Sequence, residues 1–143
     1  MTKQTIRCAV AGYGPSFNFG KAHATWLSGA GLELAAVMSR SRERTALAQA
    51  DWPGIRTYNR YEDLLAQPDI DVIVLVTPTQ THAPLAVRAL RAGKHVVVEK
   101  PMCMTTDQAT WMIEEARLAE RTLAVFHNRR HDGNFRTIRR LAD

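Results

Sequence analysis

The stretch Ala92-Gly93-Lys94-His95-Val96-Val97-Val98-Glu99-Lys100-Pro101 decides the fold of this chain. A helix end, a short buried strand and a charged pair halted by proline follow one another with no spare residue. Gly93 suits the left-handed turn that closes many helices. His95 to Val98 is short and rich in β-branched residues, as strands are. Pro101 cannot donate to a strand ladder, so the strand stops before it. Glu99 and Lys100 therefore fall at the carboxyl end of that strand. In an open parallel sheet this is the edge where ligands bind. Two charges beside a run of valines are costly to place there unless something uses them.

Working outward, strand and helix patterns alternate along the whole chain. Strands are expected at 6–11, 32–38, 56–58, 71–76, 95–98 and 123–126. The fourth is almost purely β-branched, as a strand buried on both faces should be. Helices are expected from Gly20 to Ser28, from the cap Ser41 to Ala50, from Tyr61 to Ala66, from His82 to Ala92, and from the Thr105/Gln108 capping box to Arg121. A last helical stretch spans Asn134 to Leu141. Pro84 is tolerated in the first turn of its helix, and Trp52-Pro53-Gly54 is a turn. The alternation predicts a doubly wound α/β fold: a parallel sheet of about six strands in three layers, of the Rossmann type.

Composition narrows the class. The chain has 143 residues, 45% apolar and 23% charged, which is one ordinary globular domain. No stretch approaches the roughly 20 apolar residues that span a bilayer, and no secretion signal opens the sequence. Cys8 and Cys103 make no disulfide framework, so a reducing cytoplasm is the expected setting. Cys8 reads as a small core residue. Net charge is +5, and residues 129–143 hold five arginines against two aspartates. No groove-reading motif accompanies this basic tail, so nucleic acid is not an expected partner. An exposed helix face, or a surface for a missing partner, explains it more simply. No metal is expected.

The candidate chemistry lies in the loops after the strands. Gly12-Tyr13-Gly14-Pro15-Ser16-Phe17-Asn18-Phe19-Gly20 joins the first strand to a helix. Such glycines let backbone approach a pyrophosphate at the helix N-terminus. The third glycine is displaced by three residues from the Gly-x-Gly-x-x-Gly spacing, and an ordinary glycine turn is the competing reading. After the second strand comes Ser39-Arg40-Ser41-Arg42-Glu43-Arg44. A carboxylate there would hold a ribose 2′-hydroxyl, whereas arginine accommodates a 2′-phosphate. The first positions are a hydroxyl and a guanidinium, which predicts NADP in preference to NAD. Arg40 is assigned to the phosphate, Arg42 to a solvated helix face, and Arg44 is left between the two. Thr77-Pro78-Thr79 with His82 follows the fourth strand. It could line a nicotinamide ribose pocket or simply cap a helix.

Taken together, Gly12-x-Gly14, Gly20-x-x-His23, Thr77-Pro78 with His82, Ala92 to Val96, Glu99-Lys100-Pro101 and Phe126 to Arg130 resemble the Gfo/Idh/MocA family (glucose–fructose oxidoreductase, inositol dehydrogenase, rhizopine catabolism). The resemblance covers nearly the whole chain, and Glu99-Lys100-Pro101 is its most specific part. It implies an NAD(P)-dependent oxidoreductase acting on a sugar, inositol or related polyol. Lys100 would be catalytic, beside the nicotinamide and the substrate hydroxyl. Glu99 would brace the cofactor ribose, and Pro101 would follow an unusual peptide bond. Arg129 and Arg130 would face the nicotinamide end, and Asn128 beside them would touch the cofactor.

The resemblance also implies a second domain carrying an aspartate and a histidine for acid/base work. His127 and His131 come too early to be that histidine. The chain therefore reads as a cofactor domain, 1–128, with 129–143 starting the connection to an absent substrate domain. A homo-oligomer is expected when that domain is present, and this piece alone is expected to bind cofactor without useful turnover. The competing reading is a non-enzymatic nucleotide-binding or regulatory module of the same fold.

Overall fold

The structure, a computed structural model, describes residues 5–14 and 18–142. Strands β1 (Arg7–Ala11), β2 (Glu33–Met38), β3 (Arg56–Tyr58), β4 (Val72–Leu75), β5 (His95–Val98) and β6 (Leu123–Val125) form one sheet in the order β3-β2-β1-β4-β5-β6. Every adjacent pair is parallel. Helices α1 (Phe19–Gly29), α2 (Arg42–Asp51), α3 (Tyr61–Leu65), α4 (His82–Arg91), α5 (Thr106–Leu118) and α6 (Gly133–Ala142) alternate with the strands. The doubly wound fold expected from the sequence is the fold observed. Strand order reverses between β1 and β4, which opens a crevice at their carboxyl ends.

Side-chain parity sorts the two faces. Successive residues of a strand point to opposite sides. Ala9 and Ala11 of β1, Ala36 and Met38 of β2, Ile73 and Leu75 of β4, and Val96 and Val98 of β5 share one cluster with Leu64 of α3, Leu90 of α4 and Met112 of α5. The residues between them face the other way. Val10 and Val74 pack with Ala24 of α1, and Val97 joins them. Val37 packs with Tyr13 and with Ala48 of α2. Cys8 is fully buried, and desolvation pushes its thiol up to about 11, so it is an inert core group.

The amino edge of the sheet is closed by charge pairs. The Arg7 guanidinium bridges Glu33, at 2.9 Å, and Asp69. Arg56 grips Asp69 through two N–H groups at 3.1 and 2.9 Å. That hydrogen bond holds the Asp69 carboxyl below its usual range. Lys94 is 6% exposed and donates from Nζ to the carbonyls of Gln67 (2.5 Å) and Ile70 (2.8 Å). Burial lowers its pKa. Lys94 is thus a structural cation that fastens the α3–β4 turn.

Element ends shift from the expected ones for local reasons. Helix α1 starts at Phe19, because the Asn18 side chain accepts from the Lys21 N–H at 3.0 Å and caps it. β4 ends at Leu75 and β6 at Val125, each one residue early. The expected loop at 77–81 contains a 3₁₀ turn, Thr79–Thr81, and a second such turn spans Asn128–His131. Helix α6 buries none of its residues. Phe135, Ile138 and Leu141 stand exposed. Among the described residues no helix is long and apolar enough to cross a membrane.

Leu90 has no exposed surface, whereas Leu118 on α5 is 69% exposed. Leu90→Ala is expected to lower unfolding free energy by about 2–5 kcal/mol in urea titration, through lost transfer energy and a residual cavity. Leu118→Ala should stay within about 0.5 kcal/mol.

Candidate functional site

The carboxyl edge of the sheet carries a cavity of about 750 Å³ at the β1/β4 switch point. Its floor is the glycine loop. Gly12 has φ +111°, and a Cβ there would lie 2.3 Å from the Val76 carbonyl oxygen. A Cβ on Gly20 would lie 2.3 Å from the Gly12 carbonyl oxygen. Both glycines are therefore required by backbone packing, not only by a ligand. Gly14 is different, because a Cβ there would meet the Arg44 side chain at 3.0–3.2 Å. The Arg44 guanidinium lies across the open face of this loop. Tyr13, beside them, donates its hydroxyl to Asp51 Oδ2 at 2.6 Å. Burial, then that bond, raises its pKa to about 12.

The wall beyond β2 and β3 is basic. Ser39, Arg40 and Ser41 line the cavity from the β2–α2 loop, Arg44 from the first turn of α2, and Arg60 and Arg88 from β3–α3 and α4. Ser41 caps α2 by accepting from the Arg44 N–H at 3.3 Å. Among the described residues the one acid in the lining, Glu62, is held by Arg88 at 2.6 Å. Four guanidiniums against a single paired carboxylate make an anion site.

The predicted residues divide into two groups. Gly12, Gly14, Gly20, Ser39, Arg40, Arg44, Thr77 and Pro78 line this cavity together. Pro15 and Ser16 lie outside the described residues. Arg42 is exposed and absent from the lining, in keeping with a solvated helix face. Thr79 opens the 3₁₀ turn, and Thr81 rather than Thr79 reaches the cavity. The Thr81 hydroxyl sits 2.8 Å from Thr77 Oγ1 and 2.7 Å from the Pro78 carbonyl. Asn128 and Arg129 are exposed in their turn, and Arg129 pairs with Asp132 at 3.0 Å.

The second group surrounds Glu99. Parity continues past β5, so Glu99 points to the α1 face, as Val97 does. There Glu99 Oε1 meets His23 Nε2 at 2.8 Å, and Oε2 accepts the Lys100 N–H at 3.0 Å. His23 is 3% exposed, with its ring edge-on to Trp26 and Phe126 at 5.1 and 4.4 Å. Both oxygens of Glu99 thus have protein partners, one of them the backbone of the residue expected to act. The Lys100 side chain is exposed, and its peptide bond to Pro101 is cis.

His82 requires a correction. It is 1% exposed, with Nδ1 2.9 Å from the Pro101 carbonyl and Nε2 2.7 Å from the Thr77 carbonyl. Burial keeps it from lining the site. It ties the loop after β4 to the loop after β5 instead. Asn59 and Arg60 are site residues that sequence reasoning did not single out, and His23, quoted within the Gly20-x-x-His23 motif, was given no role. Arg60 follows β3 as Arg40 follows β2, and that position was the available signal.

The residues fit a dinucleotide. A glycine floor, hydroxyls and guanidiniums beyond β2, and an exposed lysine at the end of β5 match its pyrophosphate, its ribose end and its reacting end.

Comparison with known proteins agrees with this geometry. Residues 6–127 match the GFO_IDH_MocA family, described as an oxidoreductase family with an NAD-binding Rossmann fold. The oxidoreductase YdgJ of Escherichia coli is 43% identical over 138 residues, which is 95% of this chain and 38% of that protein. A Bacillus subtilis protein named as the NADP(+) scyllo-inositol 2-dehydrogenase IolW is 34% identical over 98 residues, covering 68% of this chain and 27% of its own length. The solved structure of a WlbA dehydrogenase from Chromobacterium violaceum, in complex with NADH and UDP-GlcNAcA, superposes with a TM-score of 0.89 at 27% identity. It covers 98% of this chain and 40% of that one. The chain spans well under half the length of these relatives.

A double-mutant cycle tests the second group. His23→Phe keeps the aromatic packing and removes the partner of Glu99, and Glu99→Gln removes the charge. Unfolding titrations of both single variants and the double are expected to give a coupling energy above about 0.5 kcal/mol, as contacting residues do. Additive effects would mean that the contact contributes nothing of its own.

Proposed function

The chain belongs to the Gfo/Idh/MocA oxidoreductases as their NAD-binding Rossmann domain, and on that premise we propose that it is the cofactor-holding part of an NADP-dependent dehydrogenase of a sugar, an inositol or a related polyol. In this reading residues 1–128 hold the dinucleotide. Residues 129–143 begin the connection to a substrate-binding, subunit-pairing remainder.

The observation that carries the cofactor choice is the cavity wall beyond β2. Ser39 and Arg40 stand where a ribose-binding carboxylate would stand, and Arg44 lines the same wall. A 2′-phosphate brings a charge near −2 and three acceptor oxygens, which suits this excess of donors.

When bound, the nicotinamide supplies the hydride acceptor or donor. The chain's own residues hold and orient it. The glycine loop and the start of α1 take the pyrophosphate, with Gly14 leaving room for it. Thr77 and Pro78 lie against the ribose. Lys100, steadied through its own N–H on Glu99, extends its ammonium toward the substrate oxygen. A proton held there on Nζ polarises that oxygen as hydride leaves or arrives at the adjoining carbon. Excluding water and completing the acid/base pair falls to the remainder of the protein.

Calorimetric titration of this chain with NADP⁺ and NAD⁺ is the direct test. NADP⁺ is expected to bind at least about tenfold more tightly, the gain of a charge-assisted phosphate contact. Equal affinities, or none for either, would overturn the assignment. Lys100→Met should leave both affinities within about twofold, because its role lies in the reaction rather than in holding the dinucleotide.

A further inference from the structure

We propose that Arg60 is a specificity-determining residue, reaching from the end of β3 to bind the 2′-phosphate alongside Ser39 and Arg40. The inference rests on the NADP reading above and deepens it.

The placement follows from strand pairing. β2 and β3 are neighbours through the register Met38↔Tyr58. One rung further, the Ser39 N–H donates to the Tyr58 carbonyl at 3.0 Å. Asn59 then locks the two strand ends. Its Nδ2 donates to the Ser39 carbonyl at 2.8 Å and lies 3.3 Å from Thr45 Oγ1 on α2. Adjacent strands run about 4.8 Å apart. Arg40 and Arg60, the next residue in each chain segment, therefore leave the sheet side by side, and both line the cavity.

Arg60 also has donors to offer. It precedes α3 in extended backbone and makes no side-chain cap there. Its side chain is 72% exposed, and Glu62 approaches it at 4.0 Å, beyond hydrogen-bond distance. Glu62 is meanwhile held by Arg88, whose hydrogen bond is the main reason its pKa is lowered. A guanidinium so placed keeps its planar fork for a bidentate acceptor. A phosphomonoester has three such oxygens, more than one hydroxyl and one guanidinium fill.

The test compares the wild-type chain, Arg60→Ala and Arg60→Lys by calorimetry with NADP⁺, NAD⁺ and adenosine 2′,5′-bisphosphate. Arg60→Ala should weaken NADP⁺ and the bisphosphate by about tenfold, the loss of a charged hydrogen bond. NAD⁺ affinity should stay within about twofold, and Arg60→Lys should recover part of the loss as a point charge without the fork. If Arg60→Ala changes none of the three affinities, or weakens NAD⁺ as much as NADP⁺, Arg60 does not read the 2′-phosphate and the inference fails alone. If the wild-type chain itself fails to prefer NADP⁺, both readings fall together.

Discussion

Three backbone segments meet at Gly12, Gly20 and Val76 with no room for a single extra carbon. The Gly12 N–H donates to the Met38 carbonyl at 2.9 Å, and the Val76 carbonyl fills the place of its Cβ. The Gly12 carbonyl does the same to Gly20. This contact sets where β1 ends, how α1 leaves it and how near the loop after β4 comes. The cavity is the space these constraints leave above the sheet. Its glycines thus have two kinds of purpose. Two are demanded by the chain's own packing, and Gly14 keeps a surface free that Arg44 now lies across.

A second set of contacts links distant parts of the edge. Through His23, helix α1 touches Glu99, and through Glu99 it touches the Lys100 backbone. His82 joins the Thr77 and Pro101 carbonyls from below. Helix α1 and the loops after β4 and β5 are therefore cross-braced by buried imidazoles. A buried histidine with its partners in place is worth more for geometry than for charge, since breaking the contact strands a desolvated acceptor.

Much of this was legible in the sequence, for physical reasons. The runs Val72 to Leu75 and His95 to Val98 announce strands covered on both faces, and regular helical stretches between them leave little choice of topology. Pro101 marks the strand end because it lacks a donor. Ser39 and Arg40 could be placed because the carboxyl end of β2 has a fixed meaning in this fold. His82 misled, because a histidine opening a helix beside a ligand site looks the same in sequence whether it faces the ligand or the backbone beneath. Its burial depends on where the loop after β5 folds back. Arg60 was missed because β3 is only three residues long. So short a strand shows its pairing with β2 only in the sheet, and that pairing sets Arg60, two residues past its end, beside Arg40.

The ion pairs at the amino edge separate two duties within one sheet. Arg7, Arg56, Asp69 and Lys94 are spent on each other and on backbone carbonyls. At the opposite edge the Arg40, Arg60 and Lys100 side chains remain exposed to a visitor. Ion pairs thus hold one end of the strands and selectivity is expressed at the other, with five rungs or fewer of apolar core between them. Substitutions that retune the cofactor loops need not disturb the edge that holds the strands in register, and such a domain can change its ligand without relearning how to fold.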